Sequence, residues 1–160
     1  MKISVNILLA VLALVFSYAL PYQTLADGGG GGNSTIQRVD QDIARANRAI
    51  KAKDWKRAVE ILTAKVARDD RNAEAYNLLG YSERMQGDLD AAFANYDRAL
   101  ALDPEHRGAH EYIGEAYLLT GNLPKAEEHL AALDKLCFFS CEQYRDLKEA
   151  IAEYKEKHPQ

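Results

Sequence analysis

A spacing of 34 residues recurs in this chain and constrains its fold more than any other feature of the sequence. A fixed period of about 20–50 residues indicates a structure built from stacked units, because one such unit cannot bury its apolar face alone. The period therefore predicts a repeat protein with roughly three units or more and a polar end cap. Four pairs of identical residues show the spacing: Gly80 and Gly114, Gly87 and Gly121, Leu89 and Leu123, and Ala92 and Ala126.

The pattern between the repeated positions is helical. Beyond Asn33 the chain shows no sustained alternation of apolar and polar residues, which would be typical of strands. Helix-breaking pairs occur at regular intervals instead, at Gly87-Asp88, Asp103-Pro104 and Gly121-Asn122. Each unit is therefore predicted to consist of two antiparallel helices, with small residues where the helices approach closely and larger residues between them.

The predicted helix starts carry capping residues. Asp54, Asp88 and Asn122 are placed to accept hydrogen bonds from the free N–H groups at the start of the second helix of each unit. The segments 34–37 and 140–143, Ser-Thr-Ile-Gln and Ser-Cys-Glu-Gln, have the form of capping boxes that open the first helix and a final helix. The final helix, Cys141 to Lys157, has one apolar stripe, formed by Tyr144, Leu147, Ile151 and Tyr154.

The second unit resembles the tetratricopeptide repeat. The residues that carry the resemblance are Ala73-Glu74-Ala75-Tyr76-Asn77-Leu78-Leu79-Gly80, Gln86-Gly87-Asp88-Leu89 and Leu102-Asp103-Pro104. The resemblance implies an all-α fold, an α-α superhelical solenoid of about three helix pairs over residues 39–72, 73–106 and 107–140, with a C-terminal capping helix over 141–157. The first unit is the most divergent, since Lys53 stands where the turn glycine belongs, and the third has His110 where an aromatic residue is expected.

The resemblance also implies a binding surface, because the first helix of each unit lines the concave, peptide-binding face in this family. Members that hold a C-terminal carboxylate use lysines and asparagines there, but Ile43 and Glu111 occupy two of those positions here. We therefore expect an apolar or mildly basic peptide, although ordinary packing would also explain the tyrosines. The predicted partner-binding groove consists of Asn47, Lys51, Asn77, Tyr81, Arg84, Glu111, Tyr112 and Glu115. Further inward-facing positions are Asp40, Ile43, Ile50, Met85 and Leu118.

The N-terminal segment has the pattern of a secretory signal. Lys2 is its one charged residue, an apolar run follows from Ile7 to Leu20, and Thr24 and Ala26 form a small-x-small cleavage site. We expect a cleavable signal peptide over 1–26 and a mature chain that starts near Asp27 in the periplasm or outside the cell. The alternative is a retained membrane anchor, which needs about 20 apolar residues. Residues 27–38, with five consecutive glycines, are expected to form a flexible leader and the start of the first helix.

Cys137 and Cys141 flank the corner before the final helix and are predicted to form a disulfide, since an exported protein meets oxidising conditions. Three alternatives remain: thiol exchange, because Cys141 begins a helix, a soft-metal site for Cu(I), and two inert thiols. His129 would be a third metal ligand, but it lies roughly 12 Å along the same helix from Cys137. His106 and His110 have i,i+4 spacing, a weak metal signal for which packing is the preferred explanation. We predict no metal and no cofactor.

The leading hypothesis is an exported, non-enzymatic scaffold that binds a partner protein or peptide in its concave groove. The sequence has no enzyme signature, and its formal net charge of −4 gives no basic surface for nucleic acid. After signal cleavage no membrane association is expected. The alternative is a small periplasmic metal-handling or thiol-redox accessory protein that acts through Cys137 and Cys141. A third hypothesis is self-association of the solenoid into a homo-oligomer.

Overall fold

The computed structural model describes residues 31–159, and for residues 31–40 it describes the backbone alone. The predicted signal peptide and the first part of the glycine leader lie outside the described residues. Asn33–Gln160 forms one compact unit. The described part contains seven helices and no strand, which confirms the all-α prediction. The helices are α1 Gly31–Lys51, α2 Trp55–Arg68, α3 Ala73–Gln86, α4 Leu89–Leu102, α5 Arg107–Leu119, α6 Leu123–Leu136 and α7 Glu142–Lys157.

The helices stack as a solenoid. From α2 onward each helix packs against the next along the chain, and α3 also contacts α5 while α5 contacts α7. Helices α3, α5 and α7 therefore lie side by side in one layer, with α4 and α6 behind them. The final helix α7 occupies the place that the first helix of a fourth unit would take. Its predicted stripe covers the end of the stack, where Leu147 and Ile151 are buried and Tyr144 and Tyr154 pack beside them.

Two glycines allow neighbouring helices to approach closely. A methyl group built on Gly80 would lie 2.9 Å from the ring of Tyr96, which is fully buried on α4. A methyl group on Gly114 would lie 2.6 Å from the side chain of Leu147 on α7. Both distances are shorter than van der Waals contact, so the absence of a side chain sets the spacing between these helices. The prediction of small residues at close approaches is confirmed at these two positions.

Side chains cap the helices where the sequence predicts them. Asp54, Asp88 and Asn122 each accept a hydrogen bond from the backbone N–H three residues on, at 3.1–3.3 Å. Asn72 does the same for α3 at 2.7 Å, and the Nδ1 atom of His106 does so for α5 at 3.2 Å. Five successive helices thus begin on a side-chain acceptor, which satisfies one of the free N–H groups of each first turn.

The two predicted capping boxes are wrong. Helix α1 begins at Gly31, so Ser34 lies inside the helix and does not open it, and part of the predicted flexible leader is helical. Helix α7 begins at Glu142, and its N-cap is Cys141, whose side chain makes no capping bond. Cys141 faces Cys137 with a Cα–Cα distance of 5.6 Å, and this corner keeps the chain extended one residue past Ser140.

Candidate functional site

Five side chains from three helices form one cluster on the face of the solenoid where α3 and α5 lie side by side. We call it the aromatic cluster: Trp55, Tyr81, Arg84, Tyr112 and Glu115. The rings of Tyr81 and Tyr112 lie 4.8 Å apart between centroids, and Trp55 meets Tyr81 edge to face at 5.9 Å. Both tyrosine side chains are half-buried, so part of each ring remains accessible. Tyrosine and tryptophan give a large contact area with few rotatable bonds, which suits a binding surface.

Arg84 holds the aromatic cluster together. Its guanidinium lies 5.3 Å from the ring centre of Tyr81 and 5.8 Å from that of Tyr112, within cation–π range of both. Its Nη2 atom lies 2.6 Å from Oε2 of Glu115, and the arginine side chain is only 11% exposed. The positive charge is therefore neutralised within the cluster. Arg84 is a positioning residue for the two tyrosines and leaves no free cation for an acidic ligand.

A second feature adjoins this cluster, an open cavity of about 430 Å³ that we call the acidic pocket. It shares Tyr112 with the aromatic cluster. Its lining comes from α3, the loop before α5, α5 itself and the start of α7: Glu74, Asn77, Leu78, Asp103, Glu105, His106, Arg107, Gly108, Glu111, Tyr112 and Gln143. A larger cavity of about 640 Å³ lies between α6 and α7, but no predicted groove residue lines it.

Glu111, which lines the acidic pocket, has an unusual carboxyl group. It is only 7% exposed, and burial, together with the nearby carboxylates of Glu115, Asp146 and Glu142, raises its pKa to about 7. Arg84 opposes this shift but is already paired with Glu115. Burial and the charge of Glu111 also raise the pKa of the Tyr112 hydroxyl, which stays protonated. The site is thus short of positive charge.

Asn77 provides a hydrogen-bond acceptor with no donor. The side chain is 3% exposed, and its Nδ2 group donates to Oε2 of Glu74 at 3.4 Å. Its Oδ1 atom is buried and has no hydrogen-bond partner among the residues that the structure describes. The same Glu74 oxygen lies 3.1 Å from Nε2 of His106, and this hydrogen bond raises the pKa of His106. A buried amide oxygen without a donor is costly in a folded protein, so the position favours an incoming N–H group.

Comparison with known protein families identifies the family of this chain. One tetratricopeptide repeat model matches residues 43–104 and a second matches residues 83–151, so that together they span more than half of the chain. The chain belongs to the tetratricopeptide repeat (TPR) family. No curated protein sequence matches it significantly.

Solved structures share the TPR fold at low sequence identity, which shows the fold alone. The Yersinia enterocolitica type III secretion translocator chaperone SycD matches with a TM-score of 0.70 and 19% identity, over 83% of this chain and 98% of that chain. The TPR2B domain of yeast Sti1, solved as a complex with pHsp70, matches with a TM-score of 0.69 and 16% identity, over 76% of this chain and 99% of that chain. The second TPR domain of human RPAP3, solved with an HSP70 peptide, matches with a TM-score of 0.65 and 20% identity, over 75% of this chain and 97% of that chain.

The TPR helices distribute the predicted groove residues over two features. Tyr81, Arg84, Tyr112 and Glu115 meet in the aromatic cluster, whereas Asn77 and Glu111 line the acidic pocket. On α1, Asn47 is half-buried and Lys51 is exposed, and neither lines the pocket. Ile43 and Ile50 pack against the core of the first unit, and Met85 is 43% exposed. Leu118, expected to face inward, is instead buried beneath α7, and the side chain of Asp40 lies outside the described ones.

Sequence reasoning missed three contributors to the site. Trp55 opens the second helix of its unit, whereas the family pattern assigns the binding face to first helices only. Glu74 lies in the first turn of α3 and His106 caps α5, so the two meet at 3.1 Å between the starts of successive first helices. The spacing of 32 residues between them is close to the repeat period, so equivalent helix starts in successive units were the available signal.

A pair of histidines lies on the other side of α5. The Nδ1 atoms of His110 and His129 are 2.9 Å apart, and Nε2 of His110 lies 3.0 Å from the carbonyl oxygen of Pro104. Tyr117 stacks on the His129 ring at 5.7 Å. Burial and the neighbouring His110 lower the pKa of His129 to about 4. His106 and His110 therefore make separate contacts, as the packing explanation predicts, and His129 faces His110.

The corner before α7 presents the two cysteines and two exposed rings. Cys137 and Cys141 have a Cα–Cα distance of 5.6 Å. Phe138 and Phe139 between them are 93% and 85% exposed and meet edge to face. Within residues 31–159, no three His, Cys, Asp or Glu side chains are grouped closely enough to hold a metal ion. None of the helices in that range combines the length and the apolar character that a membrane crossing requires.

Proposed function

We propose that this protein is an exported, non-enzymatic scaffold whose concave face binds a segment of a partner protein. The observation that carries the proposal is the aromatic cluster, where two half-buried tyrosines are held in place by a neutralised arginine. Tyrosine, tryptophan and arginine are the residues most often found at the energetic centres of protein interfaces. TPR domains of similar fold, from yeast Sti1 and human RPAP3, were solved in complexes with pHsp70 and an HSP70 peptide, which supports a peptide ligand here.

The test is selection of ligands from a random-peptide library with the purified protein. Selected peptides are then measured against the double variant Tyr81→Ala/Arg84→Ala and against Lys56→Ala, a control on the exposed side of α2. We expect the double variant to lose roughly 30-fold or more in affinity, the effect of removing one energetic centre, while the control binds normally. Circular dichroism establishes that each variant is folded. Unchanged affinity in the folded double variant would overturn the proposal.

A photoreactive phenylalanine at position 81 provides a second readout that does not depend on deleting Arg84. It should cross-link the selected peptides, whereas the same residue at position 56 should not. Cross-linking only at position 56 would place the ligand on the outer face and contradict the proposed groove.

We also propose that residues 1–26 direct export and that Cys137 and Cys141 form a disulfide in the exported protein. The charge and apolar pattern of the N-terminus supports the first part, and a Cα–Cα distance within the usual 4.4–6.8 Å or so supports the second. Intact mass and thiol alkylation of protein from the periplasm or medium test both. We expect a chain that starts near Asp27 and has no thiol to alkylate before reduction. A retained N-terminus or free thiols would contradict the respective part.

A further inference from the structure

We propose that the acidic pocket receives a basic side chain, a lysine or an arginine, from the segment that binds on the aromatic cluster. This inference rests on the proposed peptide-binding function and adds the chemistry of the ligand. It differs from carboxylate recognition, since the pocket presents acceptors and negative charge where a carboxylate would need donors.

The acceptors in the acidic pocket match a cationic donor. Asn77 contributes a buried Oδ1 atom that has no donor, and Glu74 and Glu111 contribute carboxyl groups on the same lining. A lysine ammonium has three N–H donors and no acceptor, and a guanidinium has five. Either group would bring several donors and a positive charge to this lining, whereas a neutral donor would leave Glu111 without a counter-charge, because Arg84 is already paired with Glu115.

The charges around the pocket favour the same ligand. Four carboxyl groups line it, from Glu74, Asp103, Glu105 and Glu111, against the cationic groups of Arg107 and, when protonated, His106. From the packed helices, Glu142 and Asp146 on α7 and Glu115 on α5 add negative charge near Glu111, and Arg84 on α3 is neutralised by Glu115. A bound cation would relieve the mutual repulsion of these carboxylates, and it would stabilise the ionised form of Glu111.

The acidic pocket is continuous with the aromatic cluster through Tyr112, which belongs to both. A segment that places an apolar side chain against Tyr81 and Tyr112 can therefore direct a neighbouring basic side chain past the Tyr112 ring into the pocket. The ring adds a cation–π contact along that path. One tyrosine thus joins an apolar subsite to an acidic one, and we expect the ligand sequence to combine both kinds of residue.

The experiment uses the library-selected peptides and their neutral isosteres, with norleucine in place of lysine or citrulline in place of arginine. We expect the selected peptides to contain a basic residue and the isostere to bind at least roughly tenfold more weakly, as loss of a charge-assisted hydrogen bond predicts. In Glu111→Gln, which removes the charge and keeps the shape, the charged peptide should weaken while the isostere should not. The control Asp97→Asn, an exposed carboxylate on α4, should change neither affinity.

Measurement against pH provides a further readout. Affinity for the charged peptide should rise between about pH 6 and pH 8 as Glu111, with its pKa of about 7, ionises. Loss of the proton from His106 also raises the affinity for the charged peptide as pH rises. The difference in pH dependence between the wild type and Glu111→Gln therefore gives the contribution of Glu111 alone. A smaller pH dependence in the variant is expected.

The outcomes separate this inference from the proposed function. Peptides that bind through Tyr81 without a basic residue, or isosteres that bind as well as the parent peptides, would overturn the acidic-pocket assignment and leave the groove intact. Peptides that bind the folded Tyr81→Ala/Arg84→Ala variant normally would overturn the groove itself. A basic residue whose removal is equally costly in the wild type and in Glu111→Gln would place the cation elsewhere and also contradict the assignment.

Discussion

Lys53 has a φ of 55° at the turn between α1 and α2, where the later turns use glycine, such as Gly87 with a φ of 86°. Side chains other than glycine are strained in this left-handed region by roughly 1 kcal/mol. We therefore expect Lys53→Gly to raise the free energy of unfolding by up to about 1 kcal/mol, since relief of strain outweighs the added freedom of the unfolded chain. Gly87→Ala should lower it by a similar amount, although nothing crowds that position. Urea denaturation measures both.

Equal unfolding free energies for wild type and Lys53→Gly would show that the lysine turn is unstrained. The departure of Lys53 from the family pattern was visible in the sequence, whereas its backbone angle was not. A divergent turn residue is compatible either with the same strained turn or with a different turn.

The single residue His129 makes the free energy of unfolding depend on pH. Its folded pKa is about 4, below the ordinary 6.5, so between these pH values the unfolded chain binds a proton that the folded chain does not. Stability is therefore present above pH 6.5 and decreases as pH falls toward 4. Because the ring is partly exposed, we expect a loss of roughly 1–2 kcal/mol.

The comparison that checks this is His129→Phe, which keeps a ring against Tyr117 and cannot be protonated. The gap in melting temperature between wild type and variant should change with pH in this window, because the effects of His106 and the acidic residues are common to both. A constant gap between wild type and His129→Phe would contradict the prediction.

At the scale of the helix, Gly114 sets how closely α5 and α7 pack. A methyl group there would lie 2.6 Å from Leu147, so Gly114→Ala should destabilise the protein by roughly 1–3 kcal/mol through overpacking. Leu147→Ala alone should cost about 2–5 kcal/mol, because it leaves a cavity. Together the two changes should cost less than their sum, since the smaller residue 147 makes room for the added methyl group.

A double-mutant cycle of unfolding free energies checks this coupling, with Gly108→Ala as a comparison outside the α5–α7 contact. Additive free energies would show that Gly114 and Leu147 do not share the contact. Gly114 belongs to the repeated pattern, so its close approach to another helix was predictable, but its partner Leu147 lies on a helix outside the repeats.

The helix boundaries show how far local sequence signals reach. Asp54, Asp88 and Asn122 recur with the 34-residue period of the repeat, and all three cap as predicted. The capping boxes at Ser34 and Ser140 have no repeated counterpart, and both fail. Short motifs occur by chance in a polar sequence, whereas a motif that recurs with the period of the fold is supported by the packing of every unit.

At the scale of the whole molecule, the solenoid followed from the repeat, whereas the side-chain contacts inside the site did not. Family positions placed Tyr81, Arg84 and Tyr112 on one surface, and the structure brings them into one cluster. The neutralisation of Arg84 by Glu115 and the acidic pocket depend on side-chain distances between units. Such distances are set by the rotation from one helix pair to the next, which a single repeat does not encode.

The end of the stack supplies the last prediction, because a solenoid needs a terminal element to cover its apolar face. Ile151 on α7 is 4% exposed, and Ile151→Asp would bury an unpaired charge against α5 and α6. We expect a loss of at least about 3 kcal/mol and displacement of α7. The uncovered apolar surface should then cause self-association, detected as an increase in mass by light scattering.

Ala152→Asp is the matched control, since the same charge enters the exposed side of the same helix. It should change stability by no more than about 0.5 kcal/mol and leave the mass unchanged. If Ile151→Asp kept the melting temperature and mass of the wild type, α7 would not be needed to end the stack.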